Sequence, residues 1–346
     1  MFFYLLDILI VEWRDLMTFY FNNVFIDECA TICGPYEKKG PLRKYFDKSY
    51  SDLYFGEKSW EKAEIKLVKD AIVMILKKSG YQKEEIDLVI GGDLLNQITA
   101  SCYGSCGVGK SFIGVYGACS SSVLGLIIAS CMIQNGFIKN GLCLVSSHNM
   151  SSEKQFRYPT EYGAPRPNSA TFTSTGAGVC LLTNEKSEVR VECATLGRII
   201  DYEQKDANDM GRVMAPSVID TLTKHLEETG RDASYYDLIL TGDLGQYGVE
   251  IVRDYLKTQH HIELDERYQD CGVLLYDLSS QKEIKAGGSG PACSALVVYS
   301  YIYALLKEKK IKNVLVLATG ALFSPILLYQ KENINSICHA ISLEVV

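Results

Sequence analysis

The sequence predicts an α/β protein built from two similar halves, each with a mainly parallel sheet covered by helices. Strand-like apolar runs alternate with helix-like runs along all 346 residues, which is typical of parallel strands joined by helical crossovers. Three segments of the first half also recur in the same order in the second half, which indicates an internal duplication. The paired segments are 86–95 with 236–245, 117–123 with 290–296, and 138–144 with 311–317.

We therefore expect an N-terminal half over residues 18–186 and a C-terminal half over residues 187–346. Residues 1–17 precede the first strand-like run and begin with a very apolar stretch, Met1–Val11. Charged residues at 7, 12, 14 and 15 leave this stretch too short to span a bilayer, and it lacks the features of a signal peptide. We expect residues 1–17 to be an extension outside the fold; attachment to a membrane surface is the alternative.

The spacing of apolar residues also predicts individual elements. It indicates one long amphipathic helix over Trp60–Ser79. Strands are predicted over 86–94, 141–145, 171–183 and 189–196, and a polar, proline-containing segment covers 146–169.

Composition excludes several classes of protein. The formal net charge is -7 and no basic stripe occurs, so we do not expect a nucleic-acid partner. The 12 cysteines are scattered, often within apolar runs and without a CxxC pair. That usage is typical of a reducing compartment, and it predicts neither disulfides nor a metal site.

Cys119 stands where an apolar strand gives way, through a glycine turn, to a buried helix. A helix start carries unpaired N–H groups and a partial positive charge, so we expect it to favour the Cys119 thiolate. Ser120, Ser121 and Ser122 would cap the same N–H groups. The alternative is that Cys119 is one more buried thiol without a function.

Ligands of such sheets bind beyond the carboxyl ends of the strands, at turns like these. We expect the pocket to include part of 146–169 together with Asp93, Cys119, Asp243, Ser289 and Thr319. For Asp93 and Asp243 the favoured interpretation is that each caps its own turn.

The chain has five histidines. We predict that His225, His260 and His261 lie on the surface and that His339 is a hydrogen-bonded core residue. His148 follows a buried strand on the pocket side, so it is the best functional candidate. Contact with a ligand or with Cys119 and a purely structural hydrogen bond both stay open for it.

A duplicated α/β chain with Cys119 at this turn resembles the thiolase and ketoacyl-synthase superfamily. A closer similarity rests on motifs spread over residues 18–346, of which EKQFRYPTEYG (153–163) is the most specific. On these motifs the chain resembles the stage V sporulation protein AD family. The motifs are Gly92–Gln97, Tyr116–Ser120, Ser146–Asn149, Glu153–Gly163, Asp209–Gly211, Ala286–Gly290 and Ala318–Pro325.

The resemblance implies a thiolase-like duplicated fold, with two mixed, mainly parallel sheets in α/β/α/β/α layers. It implies that dipicolinic acid, alone or as its calcium chelate, binds in the pocket that corresponds to the thiolase active site. Two carboxylates on a flat ring require cationic groups, hydroxyl or N–H donors and an apolar wall. For Arg157 the alternative is a salt bridge with Glu153 or Glu161. The candidate ligand-binding residues are Cys119, Ser120, His148, Arg157, Tyr158, Asp93, Ser289 and Thr319.

The chain departs from the thiolase pattern at the residues that activate the nucleophile. The turn that carries a histidine in thiolases reads Gly288–Pro291 here, and the corresponding ketoacyl-synthase turn reads Thr241–Leu244. Neither turn contains a histidine, so we expect no catalytic residue and no cofactor, although Cys119 occupies the nucleophile position. An acyltransferase or condensing enzyme that uses Cys119 is the alternative.

The resemblance also implies a cellular setting. We expect a homodimer that works with the other subunits of the spore dipicolinate channel. Such a protein would lie at the inner membrane of the developing spore, without a transmembrane segment of its own.

Overall fold

The computed structural model describes residues 17–157 and 166–346. The strands of the N-terminal half are Thr18–Tyr20 (β1), Phe25–Cys33 (β2), Lys48–Ser49 (β3), Leu88–Gly92 (β4), Ser111–Gly114 (β5), Asn140–Ser147 (β6), Phe172–Thr173 (β7) and Gly176–Thr183 (β8). The strands of the C-terminal half are Val189–Thr195 (β9), Leu238–Thr241 (β10), Tyr268–Asp270 (β11), Gly288–Ser289 (β12), Asn313–Ala321 (β13) and Ser336–Val345 (β14).

The two halves have the same strand order, as the internal duplication predicts. Across the sheet the order is β5-β4-β6-β8-β2 in the first half and β11-β10-β13-β14-β9 in the second. In each half the first three strands of this order pair in parallel, and the remaining two pairings are antiparallel. The predicted mixed α/β architecture is confirmed. The two sheets also share an edge, because β2 and β9 pair at Phe25 with Arg190 and at Ile26 with Val189.

The helices lie between and outside these sheets. They are Trp60–Ser79 (α1), Thr99–Ser105 (α2), Ser121–Gln134 (α3), Asn149–Phe156 (α4), Met210–Thr229 (α5), Gly245–Tyr255 (α6), Cys271–Leu274 (α7), Pro291–Leu296 (α8), Tyr303–Lys307 (α9) and Pro325–Tyr329 (α10). The helix predicted over Trp60–Ser79 is confirmed at both ends. Ser59 accepts the N–H of Lys62 as N-cap, and Gly80 ends the helix with a φ of 79° that favours glycine.

Three apolar clusters correspond to the predicted layers. One lies between the first sheet and the outer helices α1 and α2, and a second lies between the second sheet and α5 and α6. The largest lies between the two sheets, where α3 and α8 pack against each other. The glycine turns at the start of α3 and α8 therefore meet in the middle of the molecule.

A buried polar network also ties the two halves together. Glu37 is fully buried and accepts hydrogen bonds from the N–H of Thr175 (3.0 Å) and from the hydroxyl of Tyr276. Tyr276 belongs to the C-terminal half and also contacts Ser174 Oγ (3.0 Å). Burial raises the pKa of Glu37 to about 7.

The predicted N-terminal extension lies outside the described residues, except for Met17. The N–H of Met17 donates to the Glu228 carboxylate on α5 (3.2 Å), and its carbonyl accepts from the N–H of Leu196 (3.0 Å). The division at residues 186 and 187 stays a prediction; β8 ends before it at Thr183 and β9 begins after it at Val189. Among the helices that the structure describes, none is both long enough and apolar enough to cross a bilayer.

Candidate functional site

The turn between β5 and α3 presents Cys119 to a cavity. Ser120 Oγ donates to the Gly117 carbonyl (2.7 Å), while Ser121 Oγ accepts the Gly117 N–H (3.0 Å) and donates to the Ala118 carbonyl (2.8 Å). These bonds stabilise a turn in which Ala118 has a φ of 50°, a conformation that is costly for a residue with a Cβ. The prediction that the serines cap α3 is wrong for Ser120, which is the N-cap residue but makes no side-chain cap bond. Ser120 also does not line the cavity.

The Cys119 thiol contacts a carboxylate, Asp243, which follows β10 in the second half. Asp243 is fully buried and accepts hydrogen bonds from Cys119, from the Thr319 hydroxyl (2.5 Å) and from the Gly290 N–H (3.1 Å). Ser289 also donates to it and lines the cavity, whereas Thr319 reaches the site only through Asp243. The structure therefore brings Cys119, Ser289 and Thr319 together, as expected. They surround the Asp243 carboxylate, which was expected to cap its own turn.

This contact corrects the expectation that the helix start favours the Cys119 thiolate. Burial and the nearby Asp243 carboxylate both raise the pKa of Cys119 well above its ordinary value. The Gly290 N–H and the Ser289 hydroxyl lower the pKa but do not reverse the shift. The thiol is therefore protonated at neutral pH and is a weak nucleophile.

The two equivalent aspartates have different roles. Asp93 caps its own turn, accepting from the N–H groups of Leu95 (2.9 Å) and Ser101 (2.7 Å), and it does not line the cavity. In the second half Asp270 caps the equivalent turn instead, accepting from the N–H groups of Leu244 (2.8 Å) and Gly245 (3.1 Å). Because Asp270 satisfies those donors, Asp243 is left to face Cys119.

No histidine lines the described part of the cavity. His148 is the N-cap of α4: its Nδ1 accepts the Met150 N–H (3.2 Å), so Nε2 carries the proton that it donates to the Leu53 carbonyl (2.8 Å). Burial lowers its pKa to about 4, so it is neutral. His339 is buried and accepts the Gly197 N–H, a core role that was expected.

His225 was predicted at the surface, and this prediction is wrong. Its ring is fully buried between Thr195 Oγ1 (2.7 Å) and the Tyr236 hydroxyl (2.6 Å), because the inner face of α5 packs on the sheet. His260 and His261 are exposed, as predicted.

The cavity has a volume of about 260 Å³. This volume lies just below the roughly 300–1,000 Å³ range of ligand pockets, so the cavity suits a compact ligand. Its wall combines apolar side chains with hydroxyl, thiol, amide, carboxylate and guanidinium groups. The lining residues are Leu94, Tyr116, Ala118, Cys119, Ser152, Glu153, Phe156, Arg157, Thr171, Thr173, Ala207, Asn208, Met210, Met214, Ser289, Ala321, Phe323, Pro325, Leu328 and Tyr329.

Helix α4 supplies the charged part of the cavity. Its residues Ser152, Glu153 and Phe156 line the cavity, as does Arg157 just beyond its end. The helix is anchored from below, because Ser151 Oγ donates to the fully buried Glu64 of α1 (2.7 Å).

Among the described residues, Arg157 has one ion-pair partner, and the contact is loose. Its Nε lies 3.8 Å from Glu153 Oε2, while the guanidinium of Arg166 lies 2.6 Å from the same oxygen. Burial, the larger effect, and the nearby Arg166 both lower the pKa of Arg157. Among the described residues, two cations therefore share one carboxylate, which leaves a net positive charge in this part of the cavity wall. Tyr158, the remaining predicted site residue, lies outside the described residues.

Sequence reasoning missed several lining residues. Phe156 and Phe323 form an aromatic contact, with ring centroids 5.6 Å apart, and Met210 and Met214 of α5 add apolar surface. The motifs quoted above contained Phe156, Met210 and Phe323, so the signal was present but was not assigned to the site. Among the described residues, no group of three or more His, Cys, Asp or Glu side chains could hold a metal ion.

The fold is that of a thiolase-like protein, and its site places the Cys119 thiol against the Asp243 carboxylate. Three solved structures share the architecture. The 3-oxoacyl-[acyl-carrier-protein] synthase III of Aquifex aeolicus VF5 has a TM-score of 0.58 and 15% identity, covering 93% of this chain and 99% of that chain. OleA of Xanthomonas campestris has a TM-score of 0.57 and 15% identity, covering 94% and 99%. The acetyl-CoA acetyltransferase of Bacillus anthracis has a TM-score of 0.60 and 13% identity, covering 94% and 100%.

At 13–15% identity, the similarity to these structures shows the fold alone. Sequence comparison shows the family. A family model for stage V sporulation protein AD matches residues 16–344. The stage V sporulation protein AD of Bacillus subtilis (strain 168) is 42% identical over 323 residues, covering 93% of this chain and 95% of that relative. The chain therefore belongs to the stage V sporulation protein AD family, which supports a role in sporulation.

Proposed function

We propose that this chain is a non-catalytic binding protein for dipicolinic acid, free or as its calcium chelate, and serves its uptake into the developing spore. The Cys119 cavity is the proposed binding site. We further propose that the protein works as a peripheral partner of the membrane subunits of the dipicolinate channel. The observation that carries the proposal is the partly buried, loosely paired Arg157 at the wall of a small, partly apolar cavity.

The charge distribution supports an anionic ligand. A partly buried guanidinium loses part of its hydration, and at 3.8 Å Glu153 does not give it a close hydrogen bond. A ligand carboxylate could form the close, paired contact that arginine geometry favours. Phe156 and Phe323 would then face the flat ring, while Ser289, which also lines the cavity, adds a polar side chain.

The state of Cys119 supports binding rather than catalysis. Acyl transfer needs a thiolate or a neighbouring base that removes the proton. Here the neighbour is Asp243, whose charge opposes thiolate formation. An acyltransferase that uses Cys119 would have to form its thiolate against that charge, so it stays the second candidate.

Calorimetric titration with dipicolinate, in parallel without and with equimolar calcium, tests the proposal. We expect saturable heat in the unchanged chain and none in Cys119→Trp, where the ring would fill the cavity. Arg157→Gln should weaken binding about tenfold to a hundredfold, because hydrogen bonds to charged groups contribute about 1.5–3 kcal/mol. Arg198→Gln is the matched control, since Arg198 is exposed and pairs with Asp220 outside the cavity lining.

The second candidate has its own readout. Incubation with acetyl-CoA followed by intact-mass measurement would show an added acetyl group if Cys119 is acylated. A flat dipicolinate titration together with such an adduct, absent in Cys119→Ser, would overturn the binding proposal in favour of the enzyme.

A further inference from the structure

One part of the cavity wall is formed by the small sheet of β7 and β12, in which Thr173 pairs with Ser289. Between Thr171 and Thr173, the ring of Phe172 packs into the apolar cluster between the two large sheets, 5.1 Å from the ring of Tyr36. Side chains alternate along a strand, so Thr171 and Thr173 lie on the opposite face from Phe172. Both threonines line the cavity, as does Ser289.

The hydroxyl groups of this wall differ in their hydrogen bonds. Ser289 donates to the buried Asp243 carboxylate. Thr171 is 6% exposed and Thr173 is half-buried, yet neither hydroxyl has a hydrogen-bond partner in the part of the chain that the structure describes. A hydroxyl that leaves water without gaining a partner costs free energy, so buried hydroxyls are usually paired. These two donors are therefore available to a molecule in the cavity.

Thr173 and Arg157 are placed at opposite ends of helix α4. At the start of α4, the Asn149 side chain donates to the Thr173 carbonyl (3.2 Å), which attaches β7 there. Arg157 follows the last residue of α4. It comes eight residues after Asn149, a distance of about 12 Å at the α-helical rise. The cavity wall therefore offers a cation beside one end of α4 and a hydroxyl donor beside the other.

We propose that Thr171 and Thr173 bind the second carboxylate of a dicarboxylate ligand whose first carboxylate pairs with Arg157. This inference rests on the proposed function and deepens it, because it assigns the selectivity of the same site for two anionic groups on one rigid ring. An ionised carboxylate accepts hydrogen bonds and donates none, so two hydroxyl donors suit it. Ser152 of α4 adds a further lining hydroxyl without a partner among the residues described.

Calorimetric titration with two ligands tests the assignment in the full chain. Picolinate has the ring of dipicolinate but only one carboxylate, and its weaker binding is measured by competition against dipicolinate. We expect the unchanged chain to prefer dipicolinate about tenfold to a hundredfold, which is the factor for hydrogen bonds to one charged group. The double variant Thr171→Val, Thr173→Val removes both hydroxyls. Dipicolinate should then lose most of this factor, while the Kd of picolinate stays unchanged.

Three kinds of control accompany the double variant. Thr171→Ser and Thr173→Ser keep a hydroxyl and should retain the preference for dipicolinate. Thr223→Val is the matched control, because Thr223 lies on α5 outside the cavity lining and its hydroxyl donates to the Ile219 carbonyl (2.7 Å). Circular dichroism checks that each variant is folded. Each single valine variant should show part of the effect, so the test does not depend on the folding of the double variant.

The possible outcomes separate this inference from the proposed function. A flat dipicolinate titration of the unchanged chain would overturn both. Saturable dipicolinate binding that the valine variants leave unchanged would overturn the inference alone. The same holds if these variants weaken picolinate as much as dipicolinate, or if the unchanged chain binds the two ligands equally well.

Discussion

Cys119 and Asp243 show how one contact changes the chemistry of a nucleophile position. The backbone turn would present the thiol to an acyl substrate, yet the carboxylate beside it keeps the proton on sulfur. Asp243 also accepts hydrogen bonds from Thr319 and Gly290, so these residues form a small network at the centre of the molecule. The site therefore holds a thiol whose reactivity is lowered by burial and by the carboxylate beside it.

Asp243→Asn should make Cys119 more reactive. Removing the negative charge lowers the pKa of the thiol, so a larger fraction is thiolate at any pH between neutrality and that pKa. We expect faster alkylation of Cys119 by iodoacetamide, followed over pH by peptide mass spectrometry, which separates it from the exposed Cys102 and Cys106. Asp254→Asn on the outer face of α6 is the control. An unchanged rate in Asp243→Asn would show that Asp243 does not control the thiol.

The two aspartates also show what the sequence could not predict at this scale. Asp93 and Asp243 occupy the same place in the same repeated motif, so the pattern assigned them the same role. The difference comes from Asp270, which lies on a different strand and takes over the second turn. Contacts between residues 25 and 26 positions apart have no local signature, so only the folded chain could reveal them.

Helix α4 is the element on which the cavity depends. It carries the charged lining residues and is held at its start by His148 and from below by Glu64. Burial raises the pKa of Glu64, so the neutral acid is favoured there. The sequence predicted neither α4 nor its supports, because the polar stretch 146–169 has no apolar period of its own. By contrast the strongly periodic α1 was predicted at its exact bounds.

Substitutions of His148 separate a capping role from a ligand contact. His148→Ala removes the cap of α4, so the free energy of unfolding should fall by about 0.5–2 kcal/mol. His148→Asn keeps an acceptor for the Met150 N–H and should recover part of that loss. Urea unfolding measures both, and dipicolinate titration of His148→Asn should give an unchanged Kd. A normally stable His148→Asn that fails to bind dipicolinate would instead identify His148 as a ligand contact.

For the whole molecule, the buried Glu37 makes stability depend on pH. Its pKa is about 7 in the fold and 4.5 ordinarily, so the protonated form is favoured by folding. The stability that Glu37 contributes to the fold is fully present below pH 4.5 and is lost as the pH rises through 7. Between these values unfolding free energy should fall by up to roughly 1.4 kcal/mol per pH unit because of this group.

Glu37→Gln should flatten that dependence, because glutamine imitates the neutral acid. Urea unfolding at several pH values between 5 and 7.5 measures the slope, and the exposed Glu84→Gln serves as the control. Other buried carboxyls with raised pKa values, such as Asp270, contribute in the same direction and remain in both proteins. Equal slopes in Glu37→Gln and the unchanged chain would contradict the assignment.

The expected homodimer has a suitable surface at the end of the sheet. Strand β5 pairs on one side with β4, and none of the described strands pairs with its other edge. Phe112 on this strand is 36% exposed. We propose that two copies pair through β5. Light scattering at micromolar concentration should give twice the chain mass, and Phe112→Lys should reduce it to one chain. A single-chain mass for the unchanged protein would contradict this proposal.

The bond between Tyr276 and Glu37 joins residues 239 positions apart. Ribosomes add roughly 5–20 residues per second, so Tyr276 is made roughly 12–48 s after Glu37. Throughout that interval the nascent first half carries a carboxyl group whose partner does not yet exist, next to the apolar surface that α8 will cover. Folding of the new chain therefore has to wait for its last third, and chaperones that bind emerging chains have that long to act.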